Sequence, residues 1–205
     1  MDFARIVNWL GRVVRLDSTA FDEIKLDPSG MIGGLIAVAV TNLIIGIGTY
    51  LYGTIEDLPE KGDLLIRVVV LGTIVQTVIW VAWPGVTYLL LNSVYRATAD
   101  IQQLIATMGF AYVPAVISAL IFIPLLDTPF AILGMVAAFV LTQYAIAASS
   151  NAASGQITLA NLGGMAAFAV LMSIIGVEIL GDDGPGDYPW ASGIWFLDWL
   201  GTFIL

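Results

Sequence analysis

The chain has 205 residues, of which 59% are hydrophobic and only 11% charged, with mean hydropathy +0.94. A soluble domain carries about 25% charged residues, so lipid must be the solvent for much of this surface. Sixteen acids against seven bases leave a net charge of −9, which disfavours nucleic acid as a partner, and the absence of cysteine and histidine excludes disulfides, thiol nucleophiles, imidazole bases and Cys/His zinc sites.

The opening residues, MDFARIVNWLGRVVRL, place Phe3, Ile6, Val7, Leu10, Val13 and Val14 at helical spacing, with Arg5, Arg12 and Arg15 on the other side. The pattern predicts an amphipathic helix over 1–16 with a basic face. The segment lacks the apolar core and small-residue cleavage site of a secretory signal, so the first span is expected both to target the chain and to stay. Beside membrane spans such a helix is expected in the headgroup layer, with Arg5, Trp9, Arg12 and Arg15 touching the membrane surface. The other reading packs it on the protein's own cytosolic loops. Thr19 and Asp22 have the spacing of a capping box for a second short helix, which Pro28 and Gly30 end.

Residues 31–53 form an uncharged apolar run long enough to cross a bilayer, followed by an acidic loop over 54–63. The second span is expected at 64–94. It is long enough to tilt, Arg67 near its start can snorkel, and Trp83-Pro84-Gly85 predicts a kink. A turn over 95–100 leads to a third span over 101–126 containing Pro114. A tight turn at 127–129, a fourth span at 130–150, a polar connector at 151–161 and a fifth span at about 159–180, with Glu178 near its end, complete the set. The tail over 181–205 begins GDDGPGDYP and ends in an aromatic segment with Trp190, Trp195 and Trp199. It is short for a crossing and is expected to lie at the interface.

Little here carries chemistry. Asp22/Glu23, Glu56/Asp57 and Asp182/Asp183 are adjacent pairs in polar segments, and adjacent residues do not face each other on a helix. The acidic runs Glu56, Asp57, Glu60, Asp63 and Asp182, Asp183, Asp187 supply oxygen ligands of the kind a divalent cation takes, but neither matches an EF-hand loop. No catalytic, cofactor-binding or metal-binding residue is assigned. Asn42, Gln76 and Gln143 are the polar residues within spans, expected to hydrogen-bond between helices. The small-residue rows Gly134/Ala138, Ala145/Ser149/Ala153 and Ala148/Ala152 suit close helix packing, within the chain or with a partner. Gly33-Gly34 and Gly163-Gly164 lack the signature of a phosphate loop. Arg5, Arg12, Arg15, Lys25 and Arg96 fall on one side of the five spans, against Lys61 and Arg67 on the other. The N-terminus is therefore expected in the cytoplasm of a cell-membrane protein and the C-terminus outside.

Pro114 removes a donor and frees a carbonyl near Phe110, which hydrocarbon tolerates only where neighbours supply partners. Thr107 and Tyr112 are nearby, so Pro84, Gly109, Tyr112 and Pro114 are read as kink and packing positions. FDEIKLDPSG ahead of the first span and QQLIATMGFAYVP opening the third carry a resemblance, through Phe21, Ile24, Pro28, Gly109, Phe110, Ala111, Tyr112 and Pro114. With five spans and a cytosolic N-terminus, residues 17–180 resemble the Yip domain family in its compact prokaryotic form. The resemblance implies an all-α integral membrane domain without catalytic residues or cofactors. Eukaryotic members bind Ypt/Rab GTPases, but this chain lacks their long cytosolic N-terminal region and DLYGP-like motif, so GTPase binding is not carried over. The expected role is non-enzymatic: organising the membrane, or assembling and stabilising a membrane complex, with the bilayer and a membrane protein or a second copy as partners. A small transporter or permeation subunit is the alternative, and a lipid-acting enzyme using loop carboxylates and a metal a third reading. Spans nearly free of ionisable residues argue against ion-coupled transport.

Overall fold

Hydrocarbon offers a peptide group no hydrogen-bond partner, so a chain this apolar must close its backbone bonds within each segment. The computed structural model describes residues 3–55 and 65–180. The helices are α1 (Phe3–Val14), α2 (Thr19–Leu26), α3 (Gly30–Ile55), α4 (Leu65–Val94), α5 (Ile101–Phe122), α6 (Asp127–Ser149) and α7 (Ser154–Leu180). Among the described residues, five helices, α3 to α7, are long and apolar enough to cross a membrane. The expected all-α membrane architecture is the one observed. The acidic loop residues Glu56, Asp57, Glu60 and Asp63 lie outside the described residues, as do Asp182, Asp183, Asp187 and the aromatic tail with Trp190, Trp195 and Trp199.

α5 is the centre of the bundle, packed by α3 and α6 along its length, by α2 at its first half and by α1 across both halves. The α3–α5 crossing is made by glycine. A Cβ on Gly109 would lie 2.6 Å from the backbone of Gly34, and one on Gly34 would lie 2.7 Å from the carbonyl oxygen of Ala106. The backbones therefore touch, as small residues allow in membranes. The row Gly134, Ala138, Ala145 and Ser149 is likewise buried inside the chain, on the face of α6 that packs on α5.

Pro114 has a larger effect than a kink. α5 is α-helical over Ile101–Ala111 and then a 3₁₀ helix over Val113–Phe122. Such helices seldom exceed 3–4 residues and rise about 2.0 Å per residue. The proline, with no N–H, breaks the i→i−4 ladder, and Ala115 N–H donates to Tyr112 O (2.9 Å) instead. Tight neighbours keep the slimmer helix in place. A Cβ on Gly48 would collide with the Ala119 carbonyl oxygen, and one on Gly134 would collide with the Ser118 side chain.

The expected kink of α4 is a break at Val81, one turn ahead of Pro84, because the proline ring and missing N–H act on the turn that precedes it. Before the break α4 packs on α3; after it, on α7. Two expectations need correction. The 127–129 turn is the first turn of α6, where Pro129 needs no donor. α7 starts at Ser154, so most of the supposed polar connector is helix.

Replacing Gly109 with valine should lower stability by about 1–3 kcal/mol, the usual cost of overpacking. Gly155→Ala, where an added Cβ meets open space, should change it little. Unfolding midpoints in a fixed mixed-micelle system compare the two.

Candidate functional site

The two short motifs singled out in the sequence meet in space. Phe21 and Ile24 of α2 are buried, as are Phe110, Ala111 and Tyr112 of α5, and the two helices pack together where α1 crosses them. The ascent into the membrane is made at the turn between α2 and α3. Asp27 Oδ1 accepts from the backbone N–H of Ser29 (2.8 Å) and from its hydroxyl (2.6 Å), and Gly30 N–H donates to Asp27 O (2.9 Å). Gly30 is needed because a Cβ there would strike the Ile24 carbonyl oxygen.

α1 closes over this joint. Its Ile6, Trp9 and Val13 are buried, Trp9 to 3% exposure, and the Trp9 ring meets Phe110 edge-on at 5.7 Å. The Trp9 indole N–H donates to Glu23 Oε2 (3.3 Å). Trp9 is thus a core residue, which corrects its expected placement at the membrane surface. The apolar face of α1 is drawn onto the bundle because Phe110 and Gly33 present it a matching hollow. The basic face is also largely occupied. Arg12 donates to Asp17 Oδ2 (2.8 Å), Glu23 Oε1 (2.8 Å) and Thr19 Oγ1 (2.9 Å), and Arg5 pairs with Asp27. Arg15 is exposed. The expected capping box does not form. Thr19 donates its N–H and its hydroxyl to Asp17, and Asp22 is taken by Lys25 (2.7 Å), whose ammonium also donates to the Ala148 carbonyl near the end of α6 (2.7 Å).

These contacts hold the carboxylates of the cap below their ordinary range. For Asp17 the Thr19 hydroxyl is the main cause, with Arg12 next; for Glu23 it is Arg12 and then Trp9; for Asp27 it is Ser29, assisted by Arg5.

Inside the spans, polar side chains pair across helices. Trp83 Nε1 donates to Asn161 Oδ1 (2.7 Å), and Asn161 Nδ2 donates to Thr142 Oγ1 (2.8 Å) and Phe139 O (3.1 Å), joining α4, α7 and α6. Tyr112 OH donates to Asn42 Oδ1 and Asn42 Nδ2 to Thr77 Oγ1 (3.2 Å each), joining α5, α3 and α4. Thr107 lies 2.9 Å from Ser149. The hydroxyls expected to serve the carbonyl freed by Pro114 are therefore spent elsewhere. Asn42 behaves as expected, and Gln143 Oε1 accepts from Thr158 Oγ1 between α6 and α7 (3.5 Å), whereas Gln76 is only half-buried. Asn161 was missed because it was read as connector. The spacing Ile157, Ala160, Asn161, Gly164, Phe168 was the available signal that a packed helix face begins before it.

This is a multi-pass α-helical membrane protein whose first two helices cap one end of the bundle. A model of the Yip1 domain matches residues 12–181, and the chain belongs to that family. A search of curated proteins and one of solved structures found no match.

Asn161→Leu should cost about 1–2 kcal/mol, since interhelical hydrogen bonds in membranes are worth roughly 0.6–1.7 kcal/mol each. Thr158→Val, at an exposed residue, should be near neutral by the same assay. The pH dependence of the cap follows from its depressed carboxylates. They support docking above the free carboxyl value of about 4, and that support is lost as pH falls through their lower docked values. Amide protection factors over residues 3–14, which remove the intrinsic pH dependence of exchange, should hold at neutral pH and fall modestly on acidification below that range.

Proposed function

We propose that the protein is non-enzymatic and organises the membrane or assembles and stabilises a membrane complex. What carries this reading is the use made of polar side chains inside the spans. Asn42, Trp83, Thr107, Tyr112, Thr142, Ser149 and Asn161 bond one helix to another, which supports a bundle built as a stiff body. Its least buried span is α4, where Ile66, Val70, Ile74 and Val78 form an exposed row along one face. Such a face takes lipid or a spanning helix of another chain, and the partner class of the proposal is a membrane protein or a second copy. A cytoplasmic N-terminus in a cell membrane belongs to the same proposal, supported by the bias of basic residues. The α1–α2 cap and the turn holding Arg96 share one end of the bundle, tied by Lys25 to Ala148 and by the Ala99–Ser150 bridge. Binding of Ypt/Rab-type GTPases is not part of the proposal.

One observation favours a second reading, a small permeation subunit. Trp80 Nε1 and Gln143 Nε2 are buried without a hydrogen-bond partner among the described residues, and an orphan donor suits a water or a passing solute. Affinity purification in nanodiscs or mild detergent, with mass spectrometry of co-purifying chains, separates the readings. The assembly role predicts a reproducible, stoichiometric membrane protein. A lone chain that raises solute flux above that of empty vesicles would replace it with the permeation role.

A further inference from the structure

The apolar arc of α1 is wider than the surface that covers it. Ile6, Trp9 and Val13 are spent on the bundle. The neighbouring stripe is Val7, Leu10 and Val14, and of these Val7 is 57% and Val14 60% exposed. Asn8 and Arg15 are exposed farther round the helix. The stripe continues into Leu16, which follows the helix and is 69% exposed. Its backbone is unusual. Leu16 N–H bonds to Val13 O, Asp17 N–H bonds to Arg12 O, and Leu16 has φ 62°. This is the helix-ending position where glycine is preferred, because a side chain there is strained. A leucine is held in a conformation that disfavours it, with its side chain offered outward. Leu125, between α5 and α6, repeats the arrangement with φ 68° and 93% exposure.

We infer that α1 is a shallow bilayer-insertion element seated in the corner between bundle and lipid, with Val7, Val14 and Leu16 entering the headgroup–acyl boundary. Position argues for lipid as the occupant. Ile6 reaches the first turn of α3, where a Cβ on Gly33 would lie 3.6 Å from its Cδ1. The preceding residue, Ile32, is an exposed apolar side chain at the start of a spanning helix. α1 therefore docks at the level where α3 and its exposed apolar belt begin. Charge argues for the mode of contact. Arg5 and Arg12 are paired with Asp27, Asp17 and Glu23, which leaves Arg15, just past the helix, as the exposed arginine outside these pairs. A single cation outside the stripe adds little to binding, so insertion rests on apolar burial and depends only weakly on lipid charge, unlike the usual basic amphipathic helix. The inference does not depend on the assembly role or on any protein partner.

The chain has no cysteine, which allows the test on the full-length protein. Val7→Cys, Val14→Cys and, for comparison, Asn8→Cys are labelled with an environment-sensitive nitrobenzoxadiazole probe in phosphatidylcholine nanodiscs. The expected result is blue-shifted emission at 7 and 14, quenched several-fold more by shallow nitroxide lipid than at 8, and iodide quenching mainly at 8. Added anionic lipid or salt should change this pattern little. Iodide access at 7 and 14 would overturn the inference in favour of a water-exposed stripe. Protection from both quenchers would overturn it in favour of a protein cover, and strong dependence on anionic lipid would overturn the apolar mode. Amide-exchange protection over α1, measured on each labelled variant, reports whether the helix is folded in that preparation.

Discussion

Gly34 and Gly109 meet backbone to backbone, and much of the molecule is arranged by that contact. It fixes the height at which α5 crosses α3. At that height Phe110 faces Gly33 and forms the floor on which Trp9 stands. Two residues later Tyr112 reaches Asn42, and its ring lies beside those of Trp80 and Trp83. A larger residue at either glycine would separate the helices and move both sets of contacts. The hydrophobic effect does not draw helices together inside lipid, so close backbone packing and interhelical hydrogen bonds must supply the specificity.

The two prolines in the interior of the spans, Pro84 and Pro114, work inside this arrangement. Pro84 lets a single span serve two neighbours, because α4 leaves α3 at the break and continues along α7. Pro114 ends the α-helical half of α5 just beyond the glycine crossing. The 3₁₀ half rises about 0.5 Å more per residue than an α-helix, so fewer residues complete the crossing. It is also thinner, and Gly48 and Gly134 close on it from either side. Neither proline leaves a helix simply bent; each changes what the following segment packs against.

The spans could be read from apolar length alone, and the two motifs from their residue order, because both are local properties. What could not be read was which of two legitimate surfaces the amphipathic α1 would choose. Its spacing announces an apolar arc, but spacing cannot show that Phe110, about a hundred positions away, waits beneath Trp9. Arg12 was legible as a surface cation and illegible as the common partner of Asp17, Glu23 and Thr19. Asn161 was lost for a different reason. Its polar flanks, rich in Ser, Gly, Gln and Thr, resemble a loop, and only the tertiary partner Trp83 shows why an amide belongs there. The long 3₁₀ segment had no signal beyond Pro114, since it depends on two glycines from other helices.

The cap also explains the distribution of charge. Most of the charges near the N-terminus are matched within it: Arg5 with Asp27, Arg12 with Asp17 and Glu23, Lys25 with Asp22. Such exposed pairs stabilise little on their own. Their role here is geometric, since each joins a different pair of segments: α1 to the α2–α3 turn, α1 to the start and middle of α2, and α2 to itself beside the end of α6. Apolar contact through Ile6, Trp9 and Val13 supplies the adhesion, and the ion pairs set the rotation of α1 about its axis. That rotation decides which residues of the apolar arc face the bundle. It leaves Val7 and Val14 outward, so the same charges that look like a membrane-binding face act by aiming the uncharged one.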